Sequence, residues 1–161
     1  MNEFKKVKKK KIDGKMREEI IGSGAAGVCF GCGQSNPIGL KLRFYLEDHN
    51  QVVTEFTPTK WHTGWENVTH GGIICAILDE TMGWMVTNVL KIMSVTKEFK
   101  VIFKRPIFID KQITVKCKVI SDDKKVIELL AEVENDKGDI CATAEAIYVV
   151  LNEEKLKKIF Q

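Results

Sequence analysis

The sequence predicts an α+β domain in which one long apolar helix is wrapped by a curved antiparallel sheet of five or six strands. Three observations lead there. The stretch His70–Leu90, HGGIICAILDETMGWMVTNVL, opens on two glycines and then runs almost unbroken through apolar residues. Two alternating stretches precede it and four follow it. Strands gathered in runs, instead of alternating one for one with helices, favour an antiparallel sheet over βαβ units. A helix that is apolar on every side needs cover on every side, and one strongly curved sheet supplies it.

Length and charge bound the problem. The 161 residues are enough for one domain with a real core. The net charge of +3 hides a local excess. Lys5, Lys6, Lys8, Lys9, Lys10, Lys11 and Lys15 crowd the start, so residues 1–15 are expected to form a solvated, disordered basic tail. Residues 16–161 are expected to form a single domain. The tail has one aromatic, Phe4, and no arginine, so no nucleic-acid partner is expected. No secretory signal and no membrane-spanning run is visible. Five cysteines, an odd number, then argue for reduced thiols in a cytoplasm.

Taken in order, Met16–Ile21 is expected to form one short helix, ended by Gly22, Ser23, Gly24 and Gly27. Cys29–Leu40 is a glycine-rich turn segment. Lys41–Glu47 and Gln51–Thr57 alternate as two strands joined by Asp48, His49 and Asn50, and Pro58 ends the second. Residues 61–69 form a loop rich in side chains that bind. After the helix, Val95–Phe103 alternates up to Lys104-Arg105-Pro106. Ile113–Ser121, Val126–Glu134 and Ile140–Leu151 complete the sheet, with a tight turn at Asn135–Gly138. Asn152–Gln161 reads as a short charged tail with one or two helical turns.

Asp79 is the anomaly in the helix. Its neighbours at three and four residues are Cys75, Ala76, Met82 and Gly83, all small or apolar. A buried carboxylate there needs a partner or has work to do, as a general base or nucleophile. Glu80 has equally apolar neighbours, and periodicity does not choose between the two. Cys29 and Cys32 have the spacing of half a zinc site, but no second ligand pair follows, and a structural zinc takes four ligands. A turn packed against the core is the expectation, with no metal and no cofactor. Met82, Trp84, Met85 and Trp61 suit either an acyl pocket or the core.

These residues form a pattern. His70-Gly71-Gly72, Asp79 nine positions after the His, and Thr96 followed by Lys104-Arg105-Pro106 resemble the PaaI-like hotdog-fold acyl-CoA thioesterases. The lead-in CFGCGQSNPIGLKL is similar to that of many members. The resemblance covers about Cys29 to Leu151. It implies the hotdog fold and hydrolysis of acyl-CoA by homodimers or dimers of dimers. It further implies Asp79 as the catalytic carboxylate and Gly71 as the amide that polarises the thioester carbonyl. Thr96 then orients water or the carboxylate, and His70 lies near the carbonyl. Some members place an Asn six residues before the His. Here Gly64 stands there, with His62 or Asn67 as substitutes.

The chemistry fits that implication. The first N–H groups of a helix lack partners and carry its positive end, and Gly71 and Gly72 leave them uncovered. One such donor to an oxyanion contributes about 3–4 kcal/mol. Gly72, His62, Asn67, Lys104 and Arg105 are the expected substrate-binding residues, the two cations for the CoA phosphates. Asp79 lies eight residues beyond Gly71. At ~1.5 Å per residue they stand roughly 12 Å apart, too far to serve one carbonyl. Asp79 of one subunit is therefore expected to meet Gly71 of another. Two alternatives compete. A hydratase would pair the Asp with a His five residues on, where this chain has Trp84. A non-catalytic acyl-CoA-binding or regulatory protein would bind without hydrolysing.

Overall fold

A computed structural model describes residues 8–12, 14–22 and 27–152. The ends expected to be tails, at residues 1–7 and 153–161, lie outside the described residues, as do Asp13 and the Ser23 and Gly24 of the expected turn.

The helix α1 (Gly71–Trp84) continues as one π-helical turn, Met85–Val89. Ile74, Ile77, Leu78, Thr81, Met82 and Met85 recur at three- and four-residue spacing and are buried against the sheet. The opposite strip is open, with Gly72, Asp79 and Thr87 exposed. The expectation of a helix buried all round is thus corrected: the sheet covers only part of its circumference.

The sheet has eight strands, more than the five or six expected. They are β1 (Lys9–Ile12), β2 (Lys15–Glu19), β3 (Phe44–Glu47) and β4 (Gln51–Phe56) before the helix. A small hairpin, β5 (Thr63–Trp65) and β6 (Val68–Thr69), stands apart. After the helix come β7 (Ser94–Phe103), β8 (Ile113–Asp122), β9 (Val126–Glu134) and β10 (Ile140–Val150). The spatial order is β1-β2-β3-β4-β8-β9-β10-β7, and every pairing is antiparallel. The helix packs on β4, β8, β9 and β7.

Alternation explains which side faces the helix. Ile127, Leu129, Ala131 and Val133 of β9 are buried, as are Ala142, Ala144, Ala146 and Tyr148 of β10. Register shifts at Ile147/Tyr148 and Val119/Ser121 bend the strands around the helix. Phe44 stacks on Trp84, with ring centroids 4.5 Å apart, and fixes the C-terminal half of α1.

The two extra strands come from segments expected to be tail and helix. Lys9–Ile12 and Lys15–Glu19 form a hairpin turned at Gly14, whose φ of +81° suits glycine. It extends the sheet at its edge beyond β3, and Ile12, Tyr45 and Val53 form a second small core there. The lysines are not free: Lys9 pairs with Glu18, Lys10 with Glu55 and Lys15 with Glu47. Arg17 is 2 % exposed and donates two bonds to Glu47 Oε2, at 3.1 and 2.8 Å. Further shifts are local. Lys41 has a φ of +55°, so β3 starts only at Phe44. The expected loop 61–69 contains the 3-10 turn Lys60–His62 and the β5–β6 hairpin, turned at Glu66.

The Arg17–Glu47 pair yields a stability prediction. Removing one partner of a buried ion pair leaves the other uncompensated, at a cost of about 3–5 kcal/mol. Glu47→Ala is expected to lower stability by that order in urea titration. Glu18→Ala, whose pair with Lys9 is exposed, is expected to change it by less than about 1 kcal/mol.

Candidate active site

Two clefts open along α1, one at each end of the residues that carry the sequence pattern. The first, about 510 Å³, is lined by Asp79, Glu80, Trp84, Thr96 and Tyr148, with Cys29 and Cys32 on its far wall. The second, about 360 Å³, is lined by Thr69, Gly71, Ile74, Phe103, Lys104 and Arg105.

In the first cleft, Thr96 Oγ1 donates to Asp79 Oδ1 at 3.4 Å. Tyr148 O–H donates to the Asp79 backbone carbonyl at 3.4 Å. Asp79 is exposed in the isolated chain, which corrects the expectation of a buried acid: it stands on the strip of α1 that the sheet leaves open. The helix, β7 and Tyr148 still strip it of part of its water. That desolvation pushes its pKa above the ordinary carboxylate range, the charge of Glu80 adds to the push, and the Thr96 bond opposes it.

Geometry separates the two acids that periodicity could not. Glu80 Oε1 accepts from Trp84 Nε1 at 3.1 Å, and Cys29 Sγ lies 3.6 Å from both Glu80 oxygens. Glu80 is committed to the Cys29–Cys32 loop, whereas Asp79 faces the cleft with a single hydroxyl partner.

The second cleft holds the helix N-terminus. His70 is the N-cap: its Nδ1 accepts the Gly72 N–H at 2.9 Å. This corrects the expectation that both glycine amides are uncovered. Among the described residues, only the Gly71 N–H of the two has no acceptor. A Cβ at Gly71 would lie 3.3 Å from the Phe103 ring, so that ring packs beside the glycine. Lys104 and Arg105 share this cleft, and Arg105 also donates to the Ile140 carbonyl at 2.7 Å.

His62 and Asn67 reach neither cleft. His62 Nδ1 accepts the Thr59 N–H at 2.9 Å, and its ring packs on Phe56. Burial holds its pKa below the ordinary value, in keeping with a tether in the 3-10 turn. Asn67 is exposed and gives its backbone carbonyl to Ile109. Met82 and Met85 are core, Trp84 is core with an edge on the first cleft, and Trp61 is 81 % exposed.

Sequence reasoning missed Tyr148 and Thr69. Tyr148 lies on a strand whose alternation reads as plain core. Thr69 Oγ1 is buried in the second cleft and has no hydrogen-bond partner among the described residues.

The profile of the thioesterase superfamily matches residues 66–142, the stretch that holds both Gly71 and Asp79. This chain is similar to the thioesterase superfamily over that stretch. Its PaaI-like hotdog fold is shared with the Escherichia coli PaaI protein of the phenylacetic acid degradation operon. The TM-score is 0.63 at 19 % identity, over 68 % of this chain and 83 % of that one. A Streptococcus pneumoniae hypothetical thioesterase solved with coenzyme A aligns with a TM-score of 0.63 at 15 % identity, over 69 % and 86 %. A further thioesterase superfamily protein reaches a TM-score of 0.68 at 20 % identity, over 73 % of this chain. This chain spans only 60 % of that protein's length. No curated protein sequence matches it. Among the described residues, no helix is long and apolar enough to cross a membrane.

The raised Asp79 pKa has a stability consequence. The folded chain holds the Asp79 proton more tightly than the unfolded chain, so this group favours folding most below the ordinary carboxylate range. The contribution is lost as pH rises through the raised pKa. Asp79→Asn is therefore expected to raise Tm at neutral pH and to lose that advantage in acid, as thermal melts across pH will read.

Proposed function

We propose that the protein hydrolyses an acyl-CoA thioester to free acid and CoA, at a site shared between two protomers. The observation that carries this reading is the pairing of a partly desolvated Asp79 with an uncovered Gly71 amide, held in separate clefts by one rigid helix. Neither cleft alone holds both a base and an oxyanion donor. Two copies related by a two-fold axis would bring Asp79 of one to Gly71 of the other. The outermost strand β7 supports such pairing, because Val95, Ile102 and Phe103 are exposed along it.

In this mechanism the carbonyl oxygen lies against the Gly71 N–H. Asp79, oriented by Thr96, takes a proton from water as the water oxygen attacks the carbonyl carbon. The oxyanion is held by the Gly71 amide and the positive end of α1. Collapse breaks the C–S bond, and the thiolate leaves with little assistance. Direct attack by the Asp79 carboxylate is the other route open to the same geometry. Lys104 and Arg105, beside Gly71, suit the CoA phosphates. The coenzyme A bound to the Streptococcus pneumoniae neighbour supports CoA as carrier.

Thiol release from a panel of acyl-CoAs tests the activity. Asp79→Asn is expected to lower kcat by about 10²–10⁴, the usual weight of a general base. The wild-type rate is expected to fall in acid through a pKa above the ordinary carboxylate range. Acyl-CoA binding without hydrolysis of any thioester would leave a binding protein instead.

Mixing tests the shared site. Proline is tolerated at the first helical position, and His70 already has an extended backbone, φ −61° and ψ 131°. Gly71→Pro thus removes the N–H at a compatible backbone position, with the Phe103 ring shifting by a few tenths of an ångström to admit the Cβ. Each variant alone is expected to be inactive. Random reassortment of Gly71→Pro with Asp79→Asn subunits is expected to restore about one quarter of wild-type activity, since half the dimers then hold one intact site of two. No recovery on mixing would place both groups of each site in one chain.

A further inference from the structure

The Cys29–Leu40 segment carries no part of the hydrolytic chemistry, yet it is built closely around one side chain of α1. Cys29 Sγ, Cys32 Sγ and a Glu80 oxygen all lie within 4.8 Å of one another. A Cβ at Gly31 would meet the Glu80 carboxyl carbon at 2.6 Å, and one at Gly33 would meet the Gly27 carbonyl oxygen at 2.4 Å. Gly33 is therefore required for the loop to close on its own backbone, and a side chain at position 31 would displace the Glu80 carboxylate. Backbone bonds from Gly33 to Cys29, Leu40 to Phe30 and Leu42 to Gly31 hold the turn.

We propose that Cys29, Cys32 and Glu80 form a three-ligand site for a zinc ion, which fastens this segment to α1 beside Asp79 and leaves the fourth position to a water from the cleft.

The spacing fits. Tetrahedral zinc with Zn–S bonds of about 2.3 Å and Zn–O bonds of about 2.0 Å needs S···O edges near 3.5 Å and an S···S edge near 3.8 Å. The Cys29 sulfur already lies 3.6 Å from each Glu80 oxygen. The Trp84 N–H on Oε1 fixes the carboxylate in place, the role that outer hydrogen bonds play at metal sites. Two thiolates select zinc over magnesium or calcium, which prefer oxygen.

Charge also balances. Zinc binding releases both thiol protons, and Zn²⁺ with two thiolates and one carboxylate carries a net charge of −1. Glu80 beside two neutral thiols carries the same net charge, so the field at Asp79 keeps its sign. The ion's place at Glu80, away from Gly71, gives it a positional and not a carbonyl-polarising role. The site stands whether or not Asp79 hydrolyses thioesters.

The test uses the full chain, reduced, stripped with a chelator and titrated with Co²⁺ under anaerobic conditions. One Co²⁺ per chain is expected, with a near-ultraviolet thiolate-to-cobalt band and tetrahedral visible bands, bleached by added Zn²⁺. Zinc is expected to raise Tm, as any ligand of the folded state does. The Cys29→Ser/Cys32→Ser double variant is expected to lose the thiolate band, and Cys75→Ser to keep it. Should the double variant fail to fold by circular dichroism, Cys29→Ser, at an exposed position, decides by loss of one-to-one uptake. Asp79→Asn is expected to keep the band while losing hydrolysis, so the two readings fail separately. Lack of cobalt uptake by the reduced wild type overturns the proposal, whether or not Cys29 and Cys32 form a disulfide in air. A band of undiminished strength in the double variant does the same.

Discussion

The rise of α1 governs the chemistry of this protein. One helix carries both the uncovered Gly71 amide and the Asp79 carboxylate, and its rigidity keeps them roughly 12 Å apart. That rigidity comes from burial. Ile74, Ile77, Leu78, Met82 and Met85 are locked against the sheet, and Phe44 stacks on Trp84. Neither end can move toward the other without breaking that packing. The register shift before Tyr148 serves the same constraint, bending β10 where Tyr148 reaches the Asp79 carbonyl. A site that needs both groups is thereby pushed out of the single chain and into an assembly.

The two edges of the sheet answer to different demands. At one end, β1 presents three lysines, two of them tied to Glu18 and Glu55, and charged side chains discourage further strand pairing. At the other end, β7 is long and exposes Val95, Ile102 and Phe103. Phe103 also packs beside Gly71, so an edge available for pairing and an amide without an acceptor are neighbours. The charge distribution and the proposed dimer thus follow one logic, a closed edge and an open one.

The central helix and the strands β4 and β7 to β10 were legible because burial imposes a period on the sequence. The first hairpin was not. Its lysines read as a solvated tail, since composition carries no trace of acids that lie elsewhere in the chain, such as Glu47 and Glu55. Gly14 was the signal that could have shown it, a glycine between two short stretches as hairpin turns favour. At the candidate site, Asp79, Gly71 and Thr96 were singled out through a pattern, but their environments were not legible in it. Exposure of Asp79 depends on which side of the helix the sheet leaves open, and the capping of Gly72 depends on the rotamer of His70. Neither is encoded locally.

Asp79 and Glu80 show how far adjacent identical charges can diverge. Consecutive helical residues point about 100° apart, so one step along α1 turns from the cleft to the Cys29–Cys32 loop. Glu80 meets an indole N–H and two sulfurs there, and Asp79 meets a hydroxyl and solvent. Their proximity still couples them: the negative charge on Glu80 adds to the desolvation that raises the Asp79 pKa. A residue bound to the loop thus tunes the basicity of the residue that faces the cleft. Any rearrangement of the Cys29–Cys32 loop that withdraws or neutralises Glu80 is felt at Asp79 as a fall in pKa, with no contact between loop and substrate required.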